Sequence, residues 1–330
     1  MKLLKKLYSI HSKSGKEWKM IKFLLWWIRK NIPEARVELD PEAGNIYVTK
    51  GVSDTYPCIV AHTDQVQDIH SKDFQAIETN NIIFGWSARN KRFEGLGADD
   101  KNGIWVALKC LTRFDNIKIA FFAGEEVGCI GSRKANMDFF VDCRFVIQCD
   151  RRGSSDMITS ISCTELCGKE FVAATNHELY GYQESNGAMT DVLALKESGL
   201  QVSCINLSCG YYDPHSDNEF TIKHDLLKCL HFVEHIIEHC TGVYPHQYEY
   251  GWGTGNFYDD LYDYYYDDVY TILSNHPELS VEEIWAAFKD YYPQVNRQEL
   301  EMAYEMVKQD LEFWNTKDED DGTTRDSEQP

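Results

Sequence analysis

Residues 58–64 read CIVAHTD, in which four apolar residues run directly into a histidine and, two positions later, an aspartate. Such an apolar run is typical of a buried strand, and the polar residues after it are typical of a loop. Three further segments repeat this plan. They are residues 118–123 (KIAFFA) before Glu125 and Glu126, residues 145–149 (FVIQC) before Asp150, and residues 202–207 (VSCINL) before the loop with Asp213 and His215.

Helical patterns lie between these predicted strands. Residues 102–114 and 190–198 carry apolar side chains at helical spacing, and the second pattern ends at Gly199, where a glycine commonly stops a helix. Residues 74–86 predict a β-hairpin that turns at residues 80–81. The alternation of strands and helices predicts an α/β fold with a mixed, mainly parallel central sheet flanked by helices.

The polar residues after the four strands are expected to meet at one edge of the sheet, because the carboxyl ends of parallel strands share it. Asp99 and Asp100, in the loop GLGADDKNG that opens a helix, add to this edge. Two histidines and at least five carboxylates then converge, and carboxylates at this density need a compensating cation. Histidine nitrogen and carboxylate oxygen suit Zn²⁺, and so many carboxylates favour two metal ions. The alternative is a rim of solvated acids.

The order of these segments resembles the cocatalytic zinc exopeptidase superfamily. This superfamily includes peptidase T, the carboxypeptidase G type enzymes, the bacterial leucyl aminopeptidases and the tetrahedral aminopeptidases. The resemblance covers about residues 1–240 and implies a zinc exopeptidase-like fold. It rests on SKSGKE from Ser12, GNIYVTKG from Gly44, AHTD from Ala61, GADDKNG from Gly97, GEEVGCIGS from Gly124, CDRRG from Cys149, TDVLALKESG from Thr190 and PHSDNE from Pro214.

The resemblance implies two divalent metal ions, Zn²⁺ with Co²⁺ or Mn²⁺ as alternatives. The implied ligands are Asp99 as the bridge, His62 and Asp150 on one ion, and Glu126 and His215 on the other. Glu125 becomes the catalytic base, which takes a proton from the attacking water and passes it to the leaving amine. Asp64 orients the imidazole of His62 through its second nitrogen.

Two adjacent aspartates compete for the bridging position in the segment GADDKNG. In the resembled family the bridging ligand precedes a variable residue and a basic one, which Asp100 and Lys101 match when Asp99 is the bridge. The family also tends to have a cis peptide bond after this ligand. A cis Asp99–Asp100 bond is therefore expected.

The predicted function is that of an aminopeptidase acting on short peptides. In peptidase T and the carboxypeptidase types a domain is inserted between the positions of Asp150 and His215, and in tetrahedral aminopeptidases between those of His62 and Asp99. Only 65 and 37 positions separate these residues here, too few for an independent domain beside the core elements. The arrangement is similar to the compact leucyl aminopeptidases. It argues against carboxypeptidase or deacylase activity, which uses residues from the inserted domain.

Two alternatives stay open at this point: another amidohydrolase of the same superfamily, such as a deacylase or dipeptidase, and a metal-binding scaffold without catalysis. An aminopeptidase needs acidic groups to hold the substrate ammonium, and Asp156, Asp191 and Asp213 are candidates. Tyr211 and Tyr212 are candidates for stabilising a tetrahedral oxyanion, with packing as the competing role.

The net charge of −20 is concentrated at the end of the chain, since residues 243–330 hold 21 acidic and 5 basic side chains. This balance disfavours nucleic acid as a partner. The first 30 residues are basic, but their longest apolar run, residues 23–28, is too short for a signal or membrane-spanning segment and indicates an amphipathic surface helix. Eleven scattered cysteines indicate reduced thiols and a cytoplasmic protein. The sequence leaves the oligomeric state open.

The chain is predicted to consist of three parts. They are residues 1–242 as the catalytic domain, residues 243–316 as an acidic, tyrosine-rich helical module, and residues 317–330 as a disordered tail. Within the module, residues 281–291 and 298–313 have helical patterns. Ser280 followed by Glu283 predicts a capping box for the first of these helices.

Overall fold

A computed structural model describes residues 1–161, 164–247, 269, 272–273, 276–291, 297, 300–301, 303–305 and 307–308. The chain divides into two compact units, Met1–Tyr250 and Gly251–Pro330. The helices of the first unit are α1 (Lys2–Tyr8), α2 (Trp18–Asn31), α3 (Ala98–Arg113), α4 (Ile130–Arg133), α5 (Lys169–Thr175), α6 (Asp191–Glu197) and α7 (Lys223–His239). Its strands are β1 (Arg36–Leu39), β2 (Ile46–Lys50), β3 (Tyr56–His62), β4 (Phe74–Thr79), β5 (Ile82–Ser87), β6 (Arg92–Phe93), β7 (Ile117–Phe122), β8 (Cys143–Arg151), β9 (Asp156–Ile161), β10 (Thr164–Glu165), β11 (Gln183–Gly187), β12 (Cys204–Ser208), β13 (Tyr211–Tyr212) and β14 (Phe220–Ile222).

Nine strands form one mixed sheet in the order β1-β2-β7-β3-β8-β12-β9-β10, with β11 paired to β9. Its centre is parallel, because β3 pairs in parallel with β7 and β8, and β12 pairs in parallel with β8. These are the four strands that the apolar runs predict. All seven residues of β3 are buried, as expected for a strand covered by helices on both faces. The predicted mixed α/β fold is confirmed.

Helices cover the two faces of this sheet and form a separate core on each side. Ile59 of β3 packs in one core with Leu108 of α3, and the next residue, Val60, packs in the other with Leu195 of α6. Successive side chains of a strand point to opposite faces, so an unbroken apolar run supplies both cores. The helical patterns predicted around α3 and α6 are thus the covering layers of the sheet.

The N-terminal residues differ from the single surface helix that the sequence predicts. α2 is amphipathic as expected, with Trp18 and Trp26 each more than half exposed. α1, in contrast, buries Leu4, Leu7 and Tyr8 completely. The structure thus divides the predicted helix into two, and the apolar side of α1 reaches the core while Lys2 and Lys6 stay exposed.

A second, smaller sheet has the order β13-β14-β5-β4, with β6 paired to β5. The predicted hairpin is confirmed as β4 and β5. β13 and β14 form another antiparallel pair, and the residues between them, 213–219, include His215. Because β14 pairs with β5, the second sheet fixes the position of the loop that carries His215.

The described part of the second unit contains α8 (Val281–Tyr291). The predicted capping box at its start is present: the backbone N–H of Ser280 donates to Glu283 Oε2 (2.9 Å), and the backbone N–H of Glu283 donates to Ser280 Oγ (3.4 Å). Residues 300–301, 303–305 and 307–308 are helical, in agreement with the second predicted pattern. The predicted tail at 317–330 lies outside the described residues. None of the helices in the described ranges has the length and hydropathy needed to span a bilayer.

Replacing Ile59 by alanine is expected to lower the free energy of unfolding by about 2–5 kcal/mol, because this fully buried side chain lies in the central strand and its loss leaves a cavity. Urea unfolding followed by circular dichroism measures the change. Val52→Ala is the control, since Val52 is 96% exposed and should change stability by less than about 0.5 kcal/mol. Equal stability of the two variants would contradict the central position of β3.

Candidate active site

The side chains of the predicted site lie at the ends of strands or in loops beside them. His62 is the last residue of β3, and Asp150 is the penultimate residue of β8. Glu125 and Glu126 follow the end of β7. Asp99 lies at the start of α3. The carboxyl ends of the parallel strands therefore deliver these groups to one edge, as the sequence predicts.

Two groups of side chains bring potential ligand atoms within 4.8 Å of one another. In the first group, His62 Nε2 lies 3.0 Å from Asp99 Oδ1 and 3.7 Å from Asp150 Oδ1. In the second group, His215 Nε2 lies 3.3 Å from Asp99 Oδ2 and 3.1 Å from Glu126 Oε2. Asp99 belongs to both groups and presents a different oxygen to each. The structure thus brings together the five side chains to which the resemblance assigns metal ligation.

Asp100 is turned away from both groups and has a different role. Its Oδ2 accepts the backbone N–H of His62 (3.1 Å), and its Oδ1 accepts the backbone N–H of Gly103 (2.9 Å). A Cβ on Gly103 would lie 2.2 Å from Asp100 Oδ1, so this contact requires glycine at position 103. The Asp99–Asp100 peptide bond is cis, as the resemblance implies.

Asp64 lies behind His62 and links three segments of the site. Its Oδ1 is 3.4 Å from His62 Nδ1 and accepts the backbone N–H of Glu125 (3.0 Å). Its Oδ2 accepts the backbone N–H of Glu126 (3.2 Å) and the hydroxyl of Ser14 (2.8 Å). Burial raises the pKa of Asp64, but the hydrogen bonds to its carboxylate outweigh this effect. The pKa of Asp64 therefore lies below its ordinary value. Asp64 is placed to orient His62 and to hold the backbone that carries both glutamates.

The site has an excess of buried negative charge. Burial and the charge of Asp99 raise the pKa of Asp150 to about 8. Burial also raises the pKa of Glu126. Glu126 Oε1 and His62 Nδ1 have no hydrogen-bond partner among the described residues. A divalent cation held by each of the two groups would offset this charge, so the donor set and its electrostatics fit two metal ions.

Glu125 stands beside the two groups without belonging to either. Its Oε2 lies 3.9 Å from His62 Nε2, and its side chain is 12% exposed. Burial raises the pKa of Glu125 well above its ordinary value, and the charges of Asp150 and Asp191 add to this shift. A buried carboxylate with a raised pKa is suited to accept and return a proton near neutral pH.

The five candidates for substrate recognition occupy different environments. Asp191 is fully buried, and its Oδ2 accepts the amide of Gln148. Asp213 is exposed, whereas Asp156 is half-buried beside Arg151.

The remaining two candidates are tyrosines with hydrogen-bonded hydroxyls. Tyr211 donates to Asp150 Oδ1 (3.2 Å), and Tyr212 donates to Asp225 Oδ2 (2.6 Å). Because Asp225 of α7 engages its hydroxyl, the geometry favours for Tyr212 the packing role that competes with oxyanion stabilisation.

Sequence reasoning missed several polar side chains that contact the two groups. The amide of Gln148 and the hydroxyl of Thr190 donate to Asp150 Oδ2. Glu219 accepts the backbone N–H of Asp99 (3.2 Å). The signal for Gln148 is a glutamine between apolar residues in the strand segment FVIQC. The signal for Glu219 is its position at the end of the segment PHSDNE, which also contains His215.

Neither a family model nor a curated protein matches the chain. Solved structures match it in fold. The aminopeptidase PepT from Bacillus cereus aligns with a TM-score of 0.56 and 15% identity over 72% of this chain and 97% of that one. A tripeptidase from Staphylococcus aureus aligns with a TM-score of 0.55 and 14% identity over 72% of this chain and 96% of that one. A TET aminopeptidase from a marine sediment archaeon of the Thaumarchaeota aligns with a TM-score of 0.54 and 13% identity over 72% of this chain and 96% of that one.

At these identities the likeness shows the fold. The chain has the mixed α/β fold of these peptidases, and the resemblance to the cocatalytic zinc exopeptidases is confirmed at that level.

Proposed function

We propose that the chain is a metal-dependent exopeptidase, most specifically an aminopeptidase that removes N-terminal residues from short peptides. The observation that carries the proposal is the position of Asp99, whose two oxygens face two separate histidine and carboxylate groups, with Glu125 beside them. Carboxylate bridges of this kind are the framework of two-metal hydrolytic sites.

His62 and Asp150 would hold the first proposed metal ion, Glu126 and His215 would hold the second, and Asp99 would contribute to both sites. Zn²⁺ suits this donor set, with Co²⁺ or Mn²⁺ as alternatives. When bound, such ions polarise the peptide carbonyl and make water more acidic.

Glu125 performs the proton transfers. Its carboxylate accepts a proton from the water that attacks the scissile carbonyl, and it then donates that proton to the departing amine. The backbone N–H of Glu125 is held by Asp64, which keeps the side chain at a defined position beside His62. Glu125 Oε2 lies 3.9 Å from His62 Nε2, which places the carboxylate directly beside a proposed ligand.

Two short connections support an aminopeptidase over a carboxypeptidase or deacylase. Between Asp150 and His215 the described residues are used by core elements, from β9 to β13 with α5 and α6. Between His62 and Asp99 the chain forms β4, β5 and β6. The described parts of these connections therefore contain no additional domain that would supply groups for a substrate carboxylate.

Hydrolysis of leucine anilide before and after metal removal tests the proposal. We expect hydrolysis by the metal-loaded protein, loss of activity after chelation, and recovery when Zn²⁺ is restored. N-acetyl-leucine anilide should react at least about 100-fold more slowly. Acetylation removes the ammonium group of the substrate, so the acidic side chain with which an aminopeptidase binds that group is left unpaired. Faster cleavage of N-acyl amino acids would indicate a deacylase. Two bound ions with no hydrolysis of any substrate would indicate a scaffold.

We further propose that residues 1–242 are the catalytic domain, residues 243–316 a helical module and residues 317–330 a tail, in a cytoplasmic protein. The two compact units support two separately folded parts, although they divide after Tyr250 and Tyr244 packs with the first of them. Each described cysteine is buried and none forms a disulfide, which supports a reducing compartment.

A further inference from the structure

A buried glutamate outside both ligand groups contacts the bridging residue. Glu219 is 1% exposed and is the last residue before β14, four positions after His215. Its Oε1 accepts the backbone N–H groups of Ala98 (3.0 Å) and Asp99 (3.2 Å). These N–H groups belong to the first turn of α3, where helical hydrogen bonds are missing, and the φ/ψ angles of Asp99 are themselves non-helical. A carboxylate from another loop supplies the missing acceptor.

The second oxygen of Glu219 ends a chain of buried hydrogen bonds. Gln67 Nε2 donates to Glu219 Oε2 (3.2 Å), and Gln65 Nε2 donates to Gln67 Oε1 (3.0 Å). At the other end, Lys101 Nζ donates to Gln65 Oε1 and to the carbonyl of Leu96 (3.0 Å). Lys101, Gln65 and Gln67 are each less than 10% exposed.

The direction of this chain is set by its two ends. An ammonium group only donates hydrogen bonds and a carboxylate only accepts them, so both glutamine amides must point the same way. Lys101 therefore fixes the orientation of Gln65, Gln65 fixes that of Gln67, and Gln67 donates to Glu219. A fully satisfied buried network of this kind favours one arrangement, because an unpaired group inside it is costly.

The network connects three segments that each carry a proposed ligand. Gln65 and Gln67 follow His62 on the chain, Lys101 follows Asp99, and Glu219 follows His215. We infer that Glu219 is a positioning residue, which fixes the backbone of Asp99 relative to the loop of His215 so that the two oxygens of Asp99 face both groups. The inference rests on the proposed two-metal function. It assigns Glu219 no contact with substrate or metal.

Affinity for metal measures this role independently of turnover. Metal-loaded full-length protein is titrated with a competing chelator, and the Zn²⁺ that remains bound is counted. Glu219→Gln keeps the size of the side chain, but its amide nitrogen must face a donor, either the Gln67 amide or the two backbone N–H groups. We expect about 10–100-fold weaker binding of at least one ion, the range seen when a partner of a metal ligand is lost. Glu219→Ala leaves the two N–H groups without this acceptor, and its metal affinity should fall at least as much.

Glu94→Gln is the matched control. Glu94 is also fully buried and also accepts a backbone N–H, that of Ser71 (2.8 Å), but it contacts none of the proposed ligands. This variant should bind both ions as the unchanged protein does, even where its thermal stability falls as much as that of Glu219→Gln.

The outcomes separate this inference from the proposed function. Binding of both ions by Glu219→Gln with unchanged affinity would overturn the positioning role, as would an equal loss in Glu94→Gln. Should Glu219→Ala fail to fold, Glu219→Gln decides the question alone. Absence of bound ions in the unchanged protein would overturn the proposed function, and with it the inference.

Discussion

The Glu125→Gln protein should retain both metal ions and lose about 10²–10⁴-fold in kcat, the range expected when a general acid and base is removed. Glutamine has nearly the same size as glutamate but cannot accept the proton of the attacking water. The backbone N–H of Glu125 still donates to Asp64, so the loop keeps its anchor. Glu125 belongs to neither ligand group, which is why the metal content should stay at two ions.

Steady-state hydrolysis of leucine anilide and the number of bound ions are measured on the same preparation. Glu165→Gln is the control, because Glu165 is an exposed residue of β10 that lies outside both groups. Its kcat should equal that of the unchanged protein. Substantial activity in Glu125→Gln would remove Glu125 from the role of base, and loss of metal would instead make it a ligand.

The His215→Ala protein should bind one metal ion in place of two and lose more than about 100-fold in turnover. Loss of a residue that only hydrogen-bonds to a metal ligand already lowers metal affinity or activity by about 10–100-fold. His215 is itself a proposed ligand, so its loss should have a larger effect. Its imidazole lies 3.1 Å from Glu126 Oε2 and 3.3 Å from Asp99 Oδ2, so its removal takes the only nitrogen from the second group.

Folding should be little affected by this change, because the His215 side chain is 49% exposed. The metal content per chain and the thermal unfolding temperature test both parts of the expectation. His231→Ala is the control, since His231 is an exposed residue of α7. Retention of two ions by His215→Ala at wild-type affinity would exclude His215 as a ligand. A large drop in unfolding temperature would show that the loop depends on it for structure.

Much of the fold was predictable because its information is local. The runs at β3, β7, β8 and β12 are mostly apolar, because strands that helices cover on both faces have no solvent-facing side. The polar residues directly after them could then be assigned to one edge. The burial of α1 was not predicted, because the four apolar side chains among its seven residues do not reveal by themselves that the core receives three of them.

The candidate site was predictable only in part. Strand prediction places four of the site residues, because each lies inside a strand or within four residues of its end. They are His62, Glu125, Glu126 and Asp150. The choice of Asp99 over Asp100 came from the resemblance, and the structure shows its physical basis, since the Asp100 carboxylate is used by backbone N–H groups. The engagement of Tyr212 by Asp225 was not foreseeable, because it depends on how α7 packs.

The sequence by itself determined which residue types are available and in what order, together with the strands and helices that carry them, because hydrophobic periodicity acts over a few residues. Only the tertiary structure decided that Asp99 faces two groups and that Glu219 reaches its backbone from 120 positions away. Hydrogen bonds depend on distances of tenths of an ångström and on direction. Such geometry arises when the sheet register and the helix packing are both in place, and no local pattern encodes it.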